Sequence, residues 1–90
     1  MKSELTDEFI KYFLALPERV QETARKNYKL WQRNPAHPSL DFKKLKTRVL
    51  TYSVRIGIGW RAVGVIKEPD TIIWFWIGSH SDYDKLLKQL

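Results

Sequence analysis

Cysteine is missing from this chain of 90 residues, and histidine, glycine and proline are scarce. Without cysteine the protein has no disulfide and no thiolate metal site. Its two histidines are too few for a typical histidine-based metal site, so we expect no metal and no other cofactor. Four glycines and four prolines mark turns, but they form no flexible or low-complexity segment.

Long hydrophobic runs are also absent. No stretch approaches the roughly 18 apolar residues that a transmembrane helix needs. The polar opening segment, residues 1–8, lacks the apolar core of a secretory signal. We therefore expect a soluble, cytoplasmic protein that does not act at a membrane.

Acidic residues are outnumbered, with 10 aspartates and glutamates against 16 lysines and arginines, for a net charge of +6. A positive field on so small a body attracts polyanions such as nucleic acid or an acidic protein segment. A plain solvated surface with excess lysine is the alternative. Because 43% of the residues are apolar, the chain can form one compact core, and we expect a single domain over residues 1–90.

Helical periodicity dominates the first third of the chain. Thr6 or Ser3 can cap a first helix, and Pro17 separates it from a second. With so short a link, the two helices should form an antiparallel hairpin. Each helix has one apolar stripe at helical spacing. The stripes consist of Phe9, Ile10, Phe13 and Leu14, and of Val20, Ala24, Tyr28 and Trp31.

After two prolines at positions 35 and 38, the hydrophobic period changes to two. This period predicts four strands: one from residue 40 through a basic run, then 50–56, 60–67 and 71–77. The last is apolar on both faces, so it should be central or covered on both sides. Ser79 or Ser81 can cap a short C-terminal helix. The pattern predicts an α+β fold, with the helical hairpin packed on one face of a roughly four-stranded antiparallel sheet and the last helix near the other.

Two arginines flank a glycine-rich turn at residues 57–59. Arg55 alternates with apolar residues on its strand, so it should point away from the helices, and the turn should bring it close to Arg61. A guanidinium group keeps its charge at working pH, and its fork matches phosphate oxygens. The pair is therefore a candidate phosphate site, with a solvated or salt-bridged strand pair as the alternative.

His80 follows the most apolar strand, and Tyr83 lies three residues later on the same side of a helical turn. RNA cleavage needs a base for the 2′-hydroxyl, an acid for the 5′-oxygen, and cations for the charge of the transition state. Histidine suits one of the two proton transfers. Tyr83 can donate a proton, position the phosphate or stack on a base. The alternatives are a capping or surface histidine and a packed tyrosine.

A basic run precedes the second predicted strand and is a candidate RNA-binding surface, with a solvated strand edge as the alternative. The three tryptophans of the strands can stack on bases, but their spacing favours the core. His37, between two prolines, is more typical of a loop residue than of a ligand. The basic run consists of Lys43, Lys44, Lys46 and Arg48, and the tryptophans are Trp60, Trp74 and Trp76.

Taken together, these motifs resemble the RelE/ParE superfamily of bacterial toxins from type II toxin–antitoxin systems, over nearly the whole chain. The resemblance depends on the segments 52–57 (YSVRIG), 60–64 (WRAVG) and 77–80 (IGSH), followed by Tyr83. Leu45 after the lysines, and the break between the helices at Leu16 and Pro17, also fit.

The resemblance implies a toxin that, in RelE-like members, is a metal-independent and ribosome-dependent mRNA endoribonuclease. It implies that Arg61 contacts phosphate, and that Arg55, His80 and Tyr83 occupy the other catalytic positions. It also implies a cognate acidic antitoxin that covers the toxin. Operator DNA would be contacted only through the toxin–antitoxin complex, which represses its own promoter.

One departure leaves the activity open. RelE itself carries lysines on its second strand, where this chain has Thr51 and Ser53, and whether Lys46 or Arg48 replaces them is left open. ParE-type members instead poison gyrase and have no ribonuclease site. His80 favours the ribonuclease, whereas the missing lysines favour the gyrase poison. A catalytically inactive RNA- or protein-binding module of the same fold is a third alternative.

Overall fold

A computed structural model describes all residues of the chain, 1–90. The strands form one five-stranded sheet in the order β1-β5-β4-β3-β2, and three α-helices accompany it, which confirms the predicted α+β class. No helix is both long and apolar enough to cross a bilayer. In chain order the elements are β1 (Lys2–Leu5), α1 (Asp7–Leu14), α2 (Glu18–Arg33), β2 (Lys43–Lys44), β3 (Thr51–Ile56), β4 (Trp60–Lys67), β5 (Thr71–Ser79) and α3 (His80–Leu87).

β1 is a strand that the sequence pattern did not predict. It pairs in parallel with β5, placing Ser3 beside Ile72, so the sheet is mixed rather than fully antiparallel. Of its four residues only Ser3 is even half-buried, and the others are exposed. A strand that buries so little has no period-two apolar pattern, and its backbone pairing with β5 is what a sequence pattern does not reveal.

β3, β4 and β5 form the predicted antiparallel meander. β5 is paired on both edges and covered on both faces, as its two-sided apolar sequence predicted. Phe75 is an extra residue in β5, because Trp76 pairs with Val63 while Trp74 pairs with Gly64. This β-bulge lets Trp74 face the N-terminal helices while Phe75 and Trp76 both pack on the side of α3.

The two N-terminal helices cover one face of the sheet. Thr6 caps α1, since its hydroxyl accepts a hydrogen bond from the Phe9 N–H at 3.1 Å. Trp31 of α2 is buried and packs edge-on against Trp74, with ring centroids 5.4 Å apart. Ile10 and Leu14, which we placed in the apolar stripe of α1, are 42% and 66% exposed, so their predicted burial is wrong. Leu14 is the last residue of α1, and no residue of this helix is fully buried.

β2 is shorter than the strand predicted for this segment. Leu40 is fully buried at the end of a 3₁₀ turn (Pro38–Leu40) instead of lying in a strand. Asp41 then adopts the left-handed conformation, with φ of 42°, which interrupts the extended chain. Pairing with β3 is therefore limited to two residues, and Lys46 and Arg48 lie in the following loop.

Candidate active site

The two arginines face each other across the β3–β4 hairpin. Arg55 pairs with Arg61 in the antiparallel register, and Gly57 opens the turn with φ of 59°, a conformation that favours glycine. Val54 and Ile56 pack with α2, so the alternation of the strand puts Arg55 on the opposite face, beside α3. The structure thus brings the two guanidinium groups together on the face that the sequence predicted.

Arg61 is the buried member of this pair, with 7% of its side chain exposed. Its guanidinium carbon lies 5.4 Å from the centre of the Tyr83 ring, within range of a cation–π interaction. Nη2 donates a hydrogen bond of 2.7 Å to Oδ2 of Asp41. Nη1 is buried without a hydrogen-bond partner. Because Nη1 is also inaccessible to solvent, a ligand can contact it only if the surrounding side chains move.

Asp41 is the residue of this site that sequence reasoning missed. Its Oδ2 atom lies 2.7 Å from Nη2 of Arg61, 3.7 Å from Nη2 of Arg55 and 3.5 Å from Nζ of Lys43. The hydrogen bond from Arg61, followed by the positive charge of Lys43, lowers the pKa of Asp41 in spite of its partial burial. Its only signal in the sequence is an acidic residue two positions before the basic run.

Tyr83 lies inside the protein, with 3% of its surface exposed. Its hydroxyl donates a hydrogen bond of 3.1 Å to the Ser53 hydroxyl. The centre of the Tyr83 ring lies 5.7 Å from the centre of the His80 ring and 6.3 Å from the centre of the Trp76 ring. The Arg61 guanidinium lies over this Tyr83 ring.

His80 is the first residue of α3, directly after β5. Ser79 caps the helix by accepting a hydrogen bond of 3.2 Å from the Asp82 N–H, and the His80 N–H donates to the Gly59 carbonyl at 2.8 Å. These contacts fix the backbone beside the β3–β4 turn. The His80 side chain is 54% exposed, and its Nε2 lies 3.8 Å from Oδ1 of Asp84. A substrate can therefore reach the imidazole.

The basic run lies at the β2 edge of the sheet, next to these residues. Lys43 reaches the site through its ion pair with Asp41. The remaining cations border an open depression that extends to the C-terminal Leu90. All four side chains, of Lys43, Lys44, Lys46 and Arg48, are exposed.

The remaining residues singled out from the sequence are buried, pack against the core or lie in a loop. Thr51 and Ser53 are buried hydroxyls, 2% and 0% exposed. His37 belongs to a loop, as predicted, where its Nδ1 accepts a hydrogen bond of 3.2 Å from the Ser39 N–H. Of the three strand tryptophans, Trp74 is buried in the core, as predicted, whereas Trp60 and Trp76 are half-buried and pack against the hydrophobic clusters. No group of three or more histidine, aspartate or glutamate side chains is placed to hold a metal ion.

Several solved structures share this fold. A chain of the RelB–RelE antitoxin–toxin complex from Methanococcus jannaschii superposes with a TM-score of 0.71 at 23% identity, covering 91% of this chain and 96% of that one. For the isolated RelE toxin of E. coli the TM-score is 0.67 at 16% identity, with coverages of 98% and 96%. YafQ from E. coli gives 0.71 at 11% identity, with 91% and 96% covered.

At these low identities the structural likeness establishes the fold alone. Comparison with curated proteins finds no match. The model of the ParE-like toxin domain matches residues 18–85, which is most of the chain. The protein therefore belongs to the ParE-like toxin domain family, and it is a toxin of the RelE/ParE superfamily.

Proposed function

We propose that this protein is the toxin of a toxin–antitoxin pair and that it acts in the cytoplasm as a metal-independent, ribosome-dependent endoribonuclease that cuts mRNA and inhibits translation. The observation that carries the proposal is the buried guanidinium of Arg61, with one nitrogen unpaired, beside Arg55 and close to an accessible histidine. Family membership supports the toxin role. Solved complexes of RelE with the antitoxin RelB support a cognate antitoxin as partner.

The reaction is attack of a 2′-oxygen on the adjacent phosphorus of RNA. A bond forms between the 2′-oxygen and phosphorus, and the bond from phosphorus to the 5′-oxygen breaks. The 2′-hydroxyl gives its proton to a base, and the departing 5′-oxygen takes one from an acid. Negative charge builds up on the phosphate oxygens in the transition state, where nearby cations stabilise it.

Each residue of the site suits one part of this reaction. Arg61 holds the phosphate together with Arg55, and the exposed His80 transfers one of the two protons. The Tyr83 hydroxyl is buried and already donates to Ser53, so we assign Tyr83 the positioning of Arg61 rather than proton transfer. The reaction needs two proton transfers, but the site has one imidazole. This supports a reaction on the ribosome, which would supply the second proton-transfer group.

The exposed basic run extends the site along the edge of the sheet. Its cations would contact RNA phosphates and so supply affinity without reading the base sequence. The net charge of +6 also favours an acidic antitoxin. We expect operator DNA to be contacted only through the toxin–antitoxin complex. The residues assigned to RNA binding are Lys43, Lys44, Lys46 and Arg48.

A gyrase-inhibiting toxin is the second candidate function. The observation in its favour is that Thr51 and Ser53 are neutral and buried at the positions where the resemblance implies lysines. In that case the basic surface would bind a protein target, and His80 would have no role in the toxicity. The two candidates differ in whether mRNA acquires new ends.

Primer extension on cellular mRNA after brief induction tests the ribonuclease. We expect wild-type toxin to create new 5′ ends within coding sequences. Arg61→Ala should reduce their formation by about 10²–10³-fold, because one donor to the transition state is lost. His80→Gln should reduce it by about two to four powers of ten, because a proton-transfer group is lost.

Matched substitutions outside the site serve as controls. Arg33→Ala removes an exposed arginine at the end of α2, and His37→Gln removes the loop histidine, so both should cleave like wild type. Circular dichroism confirms that each variant is folded. Growth arrest without new 5′ ends would contradict the ribonuclease, and inhibition of gyrase in the same cells would identify the second candidate as correct.

A further inference from the structure

The Asp41 carboxylate binds Nη2 of Arg61, a donor that a phosphate would also use. Its Oδ2 atom accepts the hydrogen bond from Nη2 of Arg61 at 2.7 Å and lies 3.7 Å from Nη2 of Arg55. One anionic oxygen thus faces both guanidinium groups. A phosphodiester oxygen makes the same charge-assisted hydrogen bonds to arginine. An RNA phosphate and this carboxylate therefore need the same donors.

We propose that Asp41 is an internal competitor of the RNA phosphate, which binds Arg61 in the free protein and leaves when a phosphodiester enters. This inference rests on the proposed function, because it takes RNA as the ligand of the two arginines. It makes Asp41 the residue that sets the affinity threshold of the site. An anion binds there only if its interaction free energy with the two arginines is more favourable than that of the Asp41 carboxylate it displaces.

The surroundings of Asp41 suit a group that moves. Its side chain is 34% exposed, so no packed core holds it in place. Its backbone is left-handed, with φ of 42°, a conformation that is unfavourable for residues other than glycine, though less so for aspartate. Lys43, with its Nζ 3.5 Å from the carboxylate, offers a second partner after release from Arg61. Departure from Arg61 therefore leaves the carboxylate neither buried nor unpaired.

Arg61 also has a donor that Asp41 does not satisfy. The carboxylate uses Oδ2 for its contact with Nη2, while Nη1 stays buried and unpaired against the neighbouring side chains. A phosphate presents two non-bridging oxygens and matches both nitrogens of a guanidinium fork. Nη1 is enclosed by protein, so a phosphate gains this second hydrogen bond only when the side chains around Nη1 move apart as the RNA enters.

Asp41→Asn tests the exchange, because it keeps the side-chain shape and an oxygen acceptor but removes the charge. The probe is a short single-stranded 2′-O-methyl RNA, which lacks the attacking hydroxyl and is not cleaved. We expect fluorescence anisotropy to give a Kd about tenfold lower for Asp41→Asn than for wild type, equivalent to ~1.4 kcal/mol. Asp82→Asn removes the same charge from α3, where Asp82 lies 4.0 Å from Lys85, and its Kd should change much less.

A double-mutant cycle connects the effect to Arg61. If the competition acts through this guanidinium, Asp41→Asn should bring no gain in RNA affinity in an Arg61→Ala background. If Arg61→Ala does not fold, the carboxyl ¹³C resonance of Asp41 is followed in the wild-type protein. It should shift during titration with the same RNA, because the hydrogen bond from Arg61 is lost.

Three results would overturn the proposal: equal or weaker RNA binding by folded Asp41→Asn protein, an equal gain in Asp82→Asn, or no RNA binding by any of the proteins. The first would make Asp41 a support of Arg61, and the second would reveal a general effect of charge. Because the probe is not cleaved, the result is independent of ribonuclease activity. Missing mRNA cleavage together with tighter binding by Asp41→Asn would refute the proposed function alone.

Discussion

Arg55 and Arg61 are the same residue type and face each other across one hairpin, yet their surroundings differ. The Arg55 side chain is 45% exposed, whereas that of Arg61 is 7% exposed. Solvent screens an exposed charge, but a buried guanidinium needs a counter-charge inside the protein. Asp41 supplies that charge at 2.7 Å. At the scale of single residues, burial therefore decides which arginine is paired tightly.

The ion pair makes stability depend on pH through Asp41. The hydrogen bond from Arg61 lowers the pKa of Asp41 from its usual value of 3.8. A carboxyl group whose pKa is lower in the folded than in the unfolded state stabilises the fold above its unfolded pKa, and this contribution is lost as pH falls through the folded pKa. The charged groups facing Asp41 are Arg61, Arg55 and Lys43.

We therefore expect the free energy of unfolding of wild type, measured relative to Asp41→Asn, to fall as the pH drops below about 4. Urea denaturation of both proteins from neutral to acidic pH measures this difference. Asp84→Asn is the control, because Asp84 is exposed and contacts no arginine. A wild-type advantage that stays constant across the acidic range would contradict the prediction.

β5 is the element on which the rest of the fold depends. It pairs with β1 and β4 and packs against helices on both faces. It also leads directly into α3, which begins at His80. Trp74 and Ile72 of β5 approach β4 closely at Gly64, which has no side chain. A Cβ at Gly64 would lie 2.8 Å from Cε3 of Trp74 and 2.9 Å from Cγ1 of Ile72. Close packing at this point requires glycine.

Gly64→Ala should lower the free energy of unfolding by about 1–3 kcal/mol, because an overpacked methyl group displaces a ring and an isoleucine in the core. Gly59→Ala is the matched control, since nothing lies within 4 Å of its added Cβ. Its effect should stay within about 0.5 kcal/mol. Urea denaturation measures both variants, and equal losses would show that the Trp74 contact is not the cause.

For the molecule as a whole, positive charge is the property that any polyanionic partner meets first. The chain carries +6 over 90 residues, and its basic run is exposed beside the candidate site. The same field would attract both of the proposed partners, RNA and an acidic antitoxin, so the two should compete for the toxin. Competition of this kind would silence the toxin without a dedicated inhibitory domain.

We expect the association rate constant of toxin and cognate antitoxin to fall as salt concentration rises, because salt screens the attraction between exposed charges. Stopped-flow fluorescence of the toxin tryptophans at increasing sodium chloride measures it. The dissociation rate constant is the internal control and should change much less, since exposed charges mainly affect association. An association rate constant that does not change with salt concentration would contradict the proposal that the antitoxin is acidic.

Much of the fold was predictable because its elements have local patterns. The stripe of α2 and the two-sided apolar sequence of β5 each indicate an element and the faces it buries. The patterns of α1 and β3 indicate the element but not its burial, because α1 has no fully buried residue and Thr51 and Ser53 are buried on the face of β3 that the alternation marks as polar. β1 was not predictable, since its exposed residues follow no apolar period and its pairing is with a distant strand. The short β2 was also missed, because the left-handed turn at Asp41 has no clear sequence signal.

The sequence by itself determined the pairing of Arg55 with Arg61, because strand alternation and a glycine turn act between residues close in the chain. It also determined the placement of His80 after β5 and the positive charge of the molecule. Only the tertiary structure decided that Asp41, 20 residues before Arg61, supplies the counter-charge of the buried guanidinium. Likewise, only packing placed the Tyr83 hydroxyl against Ser53, 30 residues away. Such contacts join distant segments, so their geometry depends on the assembled sheet and helices rather than on any local pattern.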